Sequence, residues 1–209
     1  MRKLRRFTSR LAPFARPNVD TDQIIPAAYL KVTDKGNLGR GLFANWRYRD
    51  DGQPLPEFVL NRPEYEGAGI LVAGGNFGCG SSREHAAWAL LDFGFQVVVG
   101  TSFADIFEAN AAKNGLLAVT LSAADHAGLV ALAEATPAAE VTVDLEQRQI
   151  ETPRNRVFSF EVDPFARYCL LDGIDQLEFI LGRLAEIEAY ETRHPQNFST
   201  AEPVAARES

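Results

Sequence analysis

Residues 70–100 read ILVAGGNFGCGSSREHAAWALLDFGFQVVVG, and the order of residue types in them decides the fold. Ile70, Leu71, Val72 and Ala73 form a short unbroken apolar run closed by two glycines, the pattern of a strand buried on both faces. Residues 83–93 carry apolar side chains at helical spacing and stop at Gly94, so a helix is predicted there. FQVVVG then repeats the buried-strand pattern. Strands joined through a helix pair in parallel, because the crossover returns the chain to the end from which it left. Moving outward, residues 102–113 read as a second helix and GLLAVTL as a third strand, and this alternation predicts an α/β half. Upstream, residues 7–14 read as a strand, and NVDTDQIIP offers Asp20 or Thr21 as the cap of a helical turn that Pro26 closes. Downstream, a helix over 123–134 precedes EVTVDL, RQIE and RVFSFEV, three alternating runs that predict an antiparallel patch. Ile174, Leu177, Ile180, Leu181, Leu184 and Ile187 recur at helical spacing, predicting a last helix over 173–190 with one face on the core.

The glycine-rich turn between the first buried strand and its helix holds Gly74, Gly75, Gly78 and Gly80. A strand, such a turn and a helix make an anion site, since first-turn N–H groups lack intrahelical partners and the helix dipole adds roughly half a positive charge there. Three familiar phosphate or nucleophile loops fail on spacing. A P-loop needs Lys where Ser81 stands; a dinucleotide GxGxxG needs Gly where Arg83 stands; a GxSxG elbow needs glycines where Cys79 and Arg83 flank Ser81. What remains is Ser81, Ser82 and Arg83 at the helix entry, with a guanidinium able to grip a small carboxylate in bidentate fashion. Ser81 and Glu84 also have the S-x-x-E spacing of a capping box, so on spacing alone a cap and a catalytic hydroxyl both stay open. His85 reads as a structural histidine, and Cys79 has no base assignable to it from the sequence.

The chain has 209 residues, 46% of them hydrophobic, enough for a core, and residues 1–194 read as one domain followed by a disordered tail over 195–209. The 28 acidic against 21 basic residues disfavour nucleic acid and anionic lipid as partners. Two isolated cysteines, Cys79 and Cys169, fit a reducing cytoplasm and neither a disulfide framework nor a metal cluster. The basic start lacks the apolar stretch of a signal peptide and reads as the approach to a strand, and no apolar run reaches the roughly 20 residues that span a bilayer. Residues 29–63 hold Gly36, Gly39, Gly41, Gly52, Pro54, Pro56 and Pro63 with little periodicity, a loop far longer than the usual connection of about 4–6 residues. Its aromatics Phe43, Trp46, Tyr48 and Phe58 argue for a folding flap rather than a solvated linker.

NVDTDQIIP, NFGCGSSREHA, SFADIFEANAAKNGLL and CLLDGID, in that order over nearly the whole chain, resemble the small-subunit family of the 3-isopropylmalate dehydratases in the aconitase superfamily. LFANWRY inside the long loop resembles its bacterial branch. The resemblance implies a swivelling β/β/α domain that supplies half of an active site, with no cofactor or metal of its own. A separate large subunit is implied as heterodimer partner and as carrier of a [4Fe-4S] cluster. Ser81, first serine of GSSRE, is implied as the catalytic base, with Ser82 and Arg83 holding the substrate carboxylate. Asp20, Thr21 and Asp22 match a DTD signature lining the cleft, although the same residues could simply cap a helix. Lys31, after YL, falls where relatives distinguish substrate side chains. The implied reaction is the dehydration of 2-isopropylmalate and rehydration to 3-isopropylmalate, in leucine biosynthesis. Homoaconitate, citraconate or dimethylmalate remain alternative substrates, and a noncatalytic carboxylate-binding module remains an alternative of another class.

Overall fold

The computed structural model describes residues 1–30 and 36–194. Strand β1 (Arg6–Phe14) runs to α1 (Thr21–Ile24), and the irregular region that follows contains, among its described residues, α2 (Ala44–Arg47) and four single 3-10 turns. An alternating series comes next: β2 (Ile70–Ala73), α3 (Glu84–Phe93), β3 (Val97–Gly100), α4 (Asp105–Asn114), β4 (Leu117–Thr120) and α5 (Ala123–Ala135). Then come β5 (Glu140–Asp144), β6 (Gln149–Glu151), β7 (Val157–Ser159) and α6 (Pro164–Asp172).

The seven strands lie in the order β4-β3-β2-β1-β5-β6-β7. The first four are mutually parallel, and β1, β5, β6 and β7 are antiparallel. The α/β half and the antiparallel patch expected from the sequence therefore share one sheet. β1 is the shared strand: its Leu11–Phe14 half pairs with β2 and its Arg6–Arg10 half with β5. The side-chain alternation of a strand sends Leu71, Ala73 and Val98 into one core, and Ile70, Val72, Val97 and Val99 into the other. That is why β2 and β3 read as continuous apolar runs. The first core is closed by α1, α3, α4 and the long loop; the second by α5, α6 and the antiparallel strands.

From residue 36 onward the long loop is a wall of the first core. Leu38, Leu42 and Phe43 are fully buried, and Phe14 meets the Phe43 ring at 4.5 Å. Arg47 is buried too, its Nη1 donating to the carbonyls of Gly39 (2.9 Å) and Leu42 (3.1 Å). Desolvation by burial lowers the pKa of this guanidinium, against smaller opposing effects of Tyr48 and Tyr29. Asn61 returns the tie, donating to the carbonyls of Arg47 and Leu55. An irregular backbone is thus held by side chains in place of a ladder.

The chain divides into two compact units, Met1–Ile174 and a second unit that begins at Asp175. The second holds α7 (Gln176–Leu181) and α8 (Leu184–Arg193). One continuous helix packed on the core was expected over 173–190. Instead, Asp175 and Glu178 form a capping box that starts α7, the helix stops at Gly182, and neither α7 nor α8 has a buried residue. Leu177, Ile180 and Leu181 are each at least half exposed. Lys31 and the tail over 195–209 lie outside the described residues. No helix among the described residues is long and apolar enough to cross a membrane.

Candidate active site

Three parallel strands end side by side, β1 at Phe14, β2 at Ala73 and β3 at Gly100, and the loops leaving those ends are laced together. On one side of the glycine turn, the Asn18 amide donates to the Gly75 carbonyl (2.8 Å), Gly78 to Val19 (2.8 Å) and Thr21 to Cys79 (2.9 Å). On the other, the Asn76 amide donates to Ser102 Oγ (2.8 Å) and Ala104 to the Phe77 carbonyl (3.1 Å). Phe77 pins the middle of the turn: it is fully buried, edge-on to Phe107 at 5.3 Å and to Phe103 at 6.4 Å. The backbone needs left-handed residues on either side of Cys79, and supplies them with Gly78 at φ +77° and Gly80 at φ +89°. A Cβ on Gly78 would collide with the Phe107 ring.

Ser81 and Ser82 emerge from this turn exposed, and among the described residues neither hydroxyl has a hydrogen-bond partner. The capping box does not form. Arg83 occupies the position before α3 without a side-chain cap, and Glu84 turns away to accept from Lys113 Nζ (3.0 Å) and Asn114 Nδ2 (2.8 Å) on α4. Asn114 in turn accepts from Trp88 Nε1 at 2.8 Å. The Glu84 carboxylate is thereby committed to α4, and because α3 begins at Glu84 with Arg83 as its N-cap residue, Ser81 stands before the cap position and its hydroxyl caps nothing.

The DTD segment lies directly against the turn, each of its residues with a separate partner. Asp20 caps α1, accepting from the Gln23 amide at 2.7 Å while Gln23 Oε1 accepts from the Asp20 amide at 3.0 Å. Thr21 is 2% exposed, and its hydroxyl donates to the Ser81 carbonyl at 2.9 Å. Asp22 forms an ion pair with Arg83, whose side chain is 20% exposed against 56% for the carboxylate. The structure therefore gathers Asp20, Thr21, Asp22, Ser81, Ser82 and Arg83 at one edge of the sheet. It turns the Thr21 hydroxyl inward, onto the Ser81 carbonyl.

His85 packs half-buried against Trp88, ring centroids 4.6 Å apart, and Cys79 is a half-buried free thiol. Two contributors escaped the sequence reading. Asn18 Oδ1 accepts from Asn76 Nδ2 at 2.9 Å, and the buried His126 of α5 bonds through Nε2 to the last carbonyl of β2, Ala73, at 2.5 Å. Both partners lie more than 50 residues away, so no local pattern announces them. Among the described residues, no group of three or more His, Cys, Asp and Glu side chains is placed to hold a metal ion.

The family model described as the Aconitase C-terminal domain matches residues 1–124, and one described as LeuD_N matches residues 127–164. The 3-isopropylmalate dehydratase small subunit of Anaeromyxobacter dehalogenans strain 2CP-1 is 55% identical over 191 residues, covering 91% of this chain and 98% of the relative. That of Roseiflexus sp. strain RS-1 is 52% identical over 193 residues, covering 92% and 95%. The crystal structure of 3-isopropylmalate dehydratase (leuD) from Methanocaldococcus jannaschii superposes with a TM-score of 0.64 at 28% identity, over 88% of this chain and 99% of that one.

Proposed function

The chain belongs to the family of 3-isopropylmalate dehydratase small subunits within the aconitase family, and from that premise we propose how its exposed serine turn works. The subunit acts as a hydro-lyase half, joined to a large subunit in the cytoplasm, on 2-isopropylmalate. The [4Fe-4S] cluster resides on that large subunit, where it supplies Lewis acidity to the hydroxyl that leaves. The residues of this chain supply the base and part of the substrate grip.

Ser81 takes the proton from the carbon next to the departing hydroxyl. An ordinary alcohol is a poor base at neutral pH, so its alkoxide requires donors already aimed at it and excluded from bulk water. The glycine turn offers such donors: among the described residues, the amides of Gly80, Ser81 and Ser82 are paired to no acceptor. Arg83 grips a substrate carboxylate while Asp22 orients its guanidinium, and Ser82 adds a hydroxyl donor. Asp20 lines the same edge, and Lys31, by its place after YL in the sequence alone, is assigned to discrimination of the alkyl substituent. The observation that carries the reading is the release of Ser81 from capping, since a hydroxyl committed to the α3 terminus could not serve as base.

Reconstitution tests it. The chain combined with a cluster-loaded large subunit is expected to isomerise 2-isopropylmalate in preference to homoaconitate, citraconate or dimethylmalate. A higher kcat/KM for one of the other diacids would replace the substrate assignment, and binding of diacids with no turnover of any would favour the noncatalytic module.

A further inference from the structure

We propose that Thr21 is a positioning residue that fixes the peptide planes of the catalytic turn, and that its buried hydroxyl acts through the Ser81 carbonyl without touching substrate. The inference rests on the assignment of Ser81 as base. Thr21 makes two bonds to the turn. Its amide donates to the Cys79 carbonyl at 2.9 Å, and its hydroxyl to the Ser81 carbonyl at 2.9 Å. These two carbonyls are two residues apart, and both are drawn toward the same buried residue, one to its amide and one to its hydroxyl. Every peptide bond described is trans. In a planar trans peptide the N–H points opposite to the C=O of the same unit. Carbonyls 79 and 81 held inward therefore aim the amides of Gly80 and Ser82 outward, to the side on which Ser81 and Ser82 are exposed. Those two amides have no acceptor among the described residues. They flank Ser81 and form a pair of donors for negative charge beside it.

Removing the hydroxyl frees the peptide 81–82 to rotate while the Thr21 backbone bond still holds the peptide 79–80. The result is a loss in the chemical step, because donors aimed at developing charge act in the transition state rather than on the bound substrate. A residue that merely stabilised the fold would lower assembly or thermal stability and leave kcat of the assembled enzyme unchanged. The side-chain methyl of Thr21 is separable from the hydroxyl: valine keeps the shape and removes the donor, and serine keeps the donor and removes the methyl.

The test uses the two-subunit enzyme with Thr21→Val, Thr21→Ser and Ser81→Ala. Thr21→Val is expected to lower kcat at least tenfold with KM within about threefold of wild type, and Thr21→Ser to keep kcat within about threefold. Thr21→Val with kcat within about threefold of wild type, alongside an inactive Ser81→Ala enzyme, would overturn the role of Thr21 and leave the base assignment standing. A Ser81→Ala enzyme with wild-type turnover would instead remove the base assignment. Should Thr21→Val fail to assemble, amide exchange in the wild-type subunit decides the matter. Fast, solvent-accessible exchange at Gly80 and Ser82 is the expected result, and slow exchange at both would show that they point inward and overturn the proposal.

Discussion

At the residue scale, the glycine turn depends on one position above all, Gly78. Gly78 combines φ +77° with a neighbour, Phe107, that leaves no space for a side chain. Gly78→Ala is expected to cost more than about 2 kcal/mol, the sum of left-handed strain and displacement of a buried ring, read as a lower midpoint in denaturant titration. The same logic separates Ser81 from its neighbours, since an exposed residue that caps nothing carries little stability. Much of this was legible in the sequence: the strand, the glycines and the helix announce the turn, and Ser81, Ser82 and Arg83 stand where they were expected. The inward Thr21 hydroxyl was not, because its acceptor is the carbonyl of a residue 60 positions away. The S-x-x-E spacing suggested a cap for an equally physical reason. Whether Glu84 caps α3 or bonds to α4 is settled by tertiary contacts that spacing does not encode.

At the scale of elements, α3 and α4 are joined across the first core by Asn114, which accepts from Trp88 and donates to Glu84. Asn114→Ala removes the bond from a half-buried indole N–H and the bond to the Glu84 carboxylate. A loss of about 1–3 kcal/mol in unfolding free energy is expected by chemical denaturation. Near the start of α4, the Glu108 carboxyl is raised in pKa by desolvation first, then by Asp105 and Asp163. A carboxylate raised above its unfolded value favours folding only when protonated, so its charged form destabilises the native state at neutral pH. Glu108→Gln is accordingly expected to raise the thermal midpoint at pH 7, with the gain shrinking as pH falls through the raised pKa of Glu108. A gain that grew on acidification would contradict the assignment. Periodicity exposed the alternating elements well, because β2, β3 and β4 are buried on both faces. It could not describe the long loop, whose order comes from Arg47, Asn61 and the buried Leu38, Leu42 and Phe43 rather than from any repeat. Nor could it place the break at Gly182 that separates α7 from α8.

At the scale of the whole molecule, a sheet that is parallel on one side of β1 and antiparallel on the other puts the carboxyl ends of β1, β2, β3 and β4 at one edge, where the loops after the first three meet. Ligands of open α/β sheets bind at such carboxyl ends, and the serine turn occupies that place. The family relation implies a large-subunit partner, and on the roles proposed above this chain contributes a base and a carboxylate grip while the remaining chemistry belongs to that partner. The isolated subunit is therefore expected to turn over nothing. The decisive measurement is the steady-state turnover of 2-isopropylmalate by a cluster-loaded large subunit reconstituted with wild-type or Ser81→Ala small subunit, with assembly followed in the same samples. The expected result is an Ser81→Ala complex that assembles as the wild type does, with its thermal midpoint unchanged and kcat reduced by a factor on the order of 10³ or more. An intact Ser81→Ala complex retaining kcat within about tenfold of wild type would contradict the account.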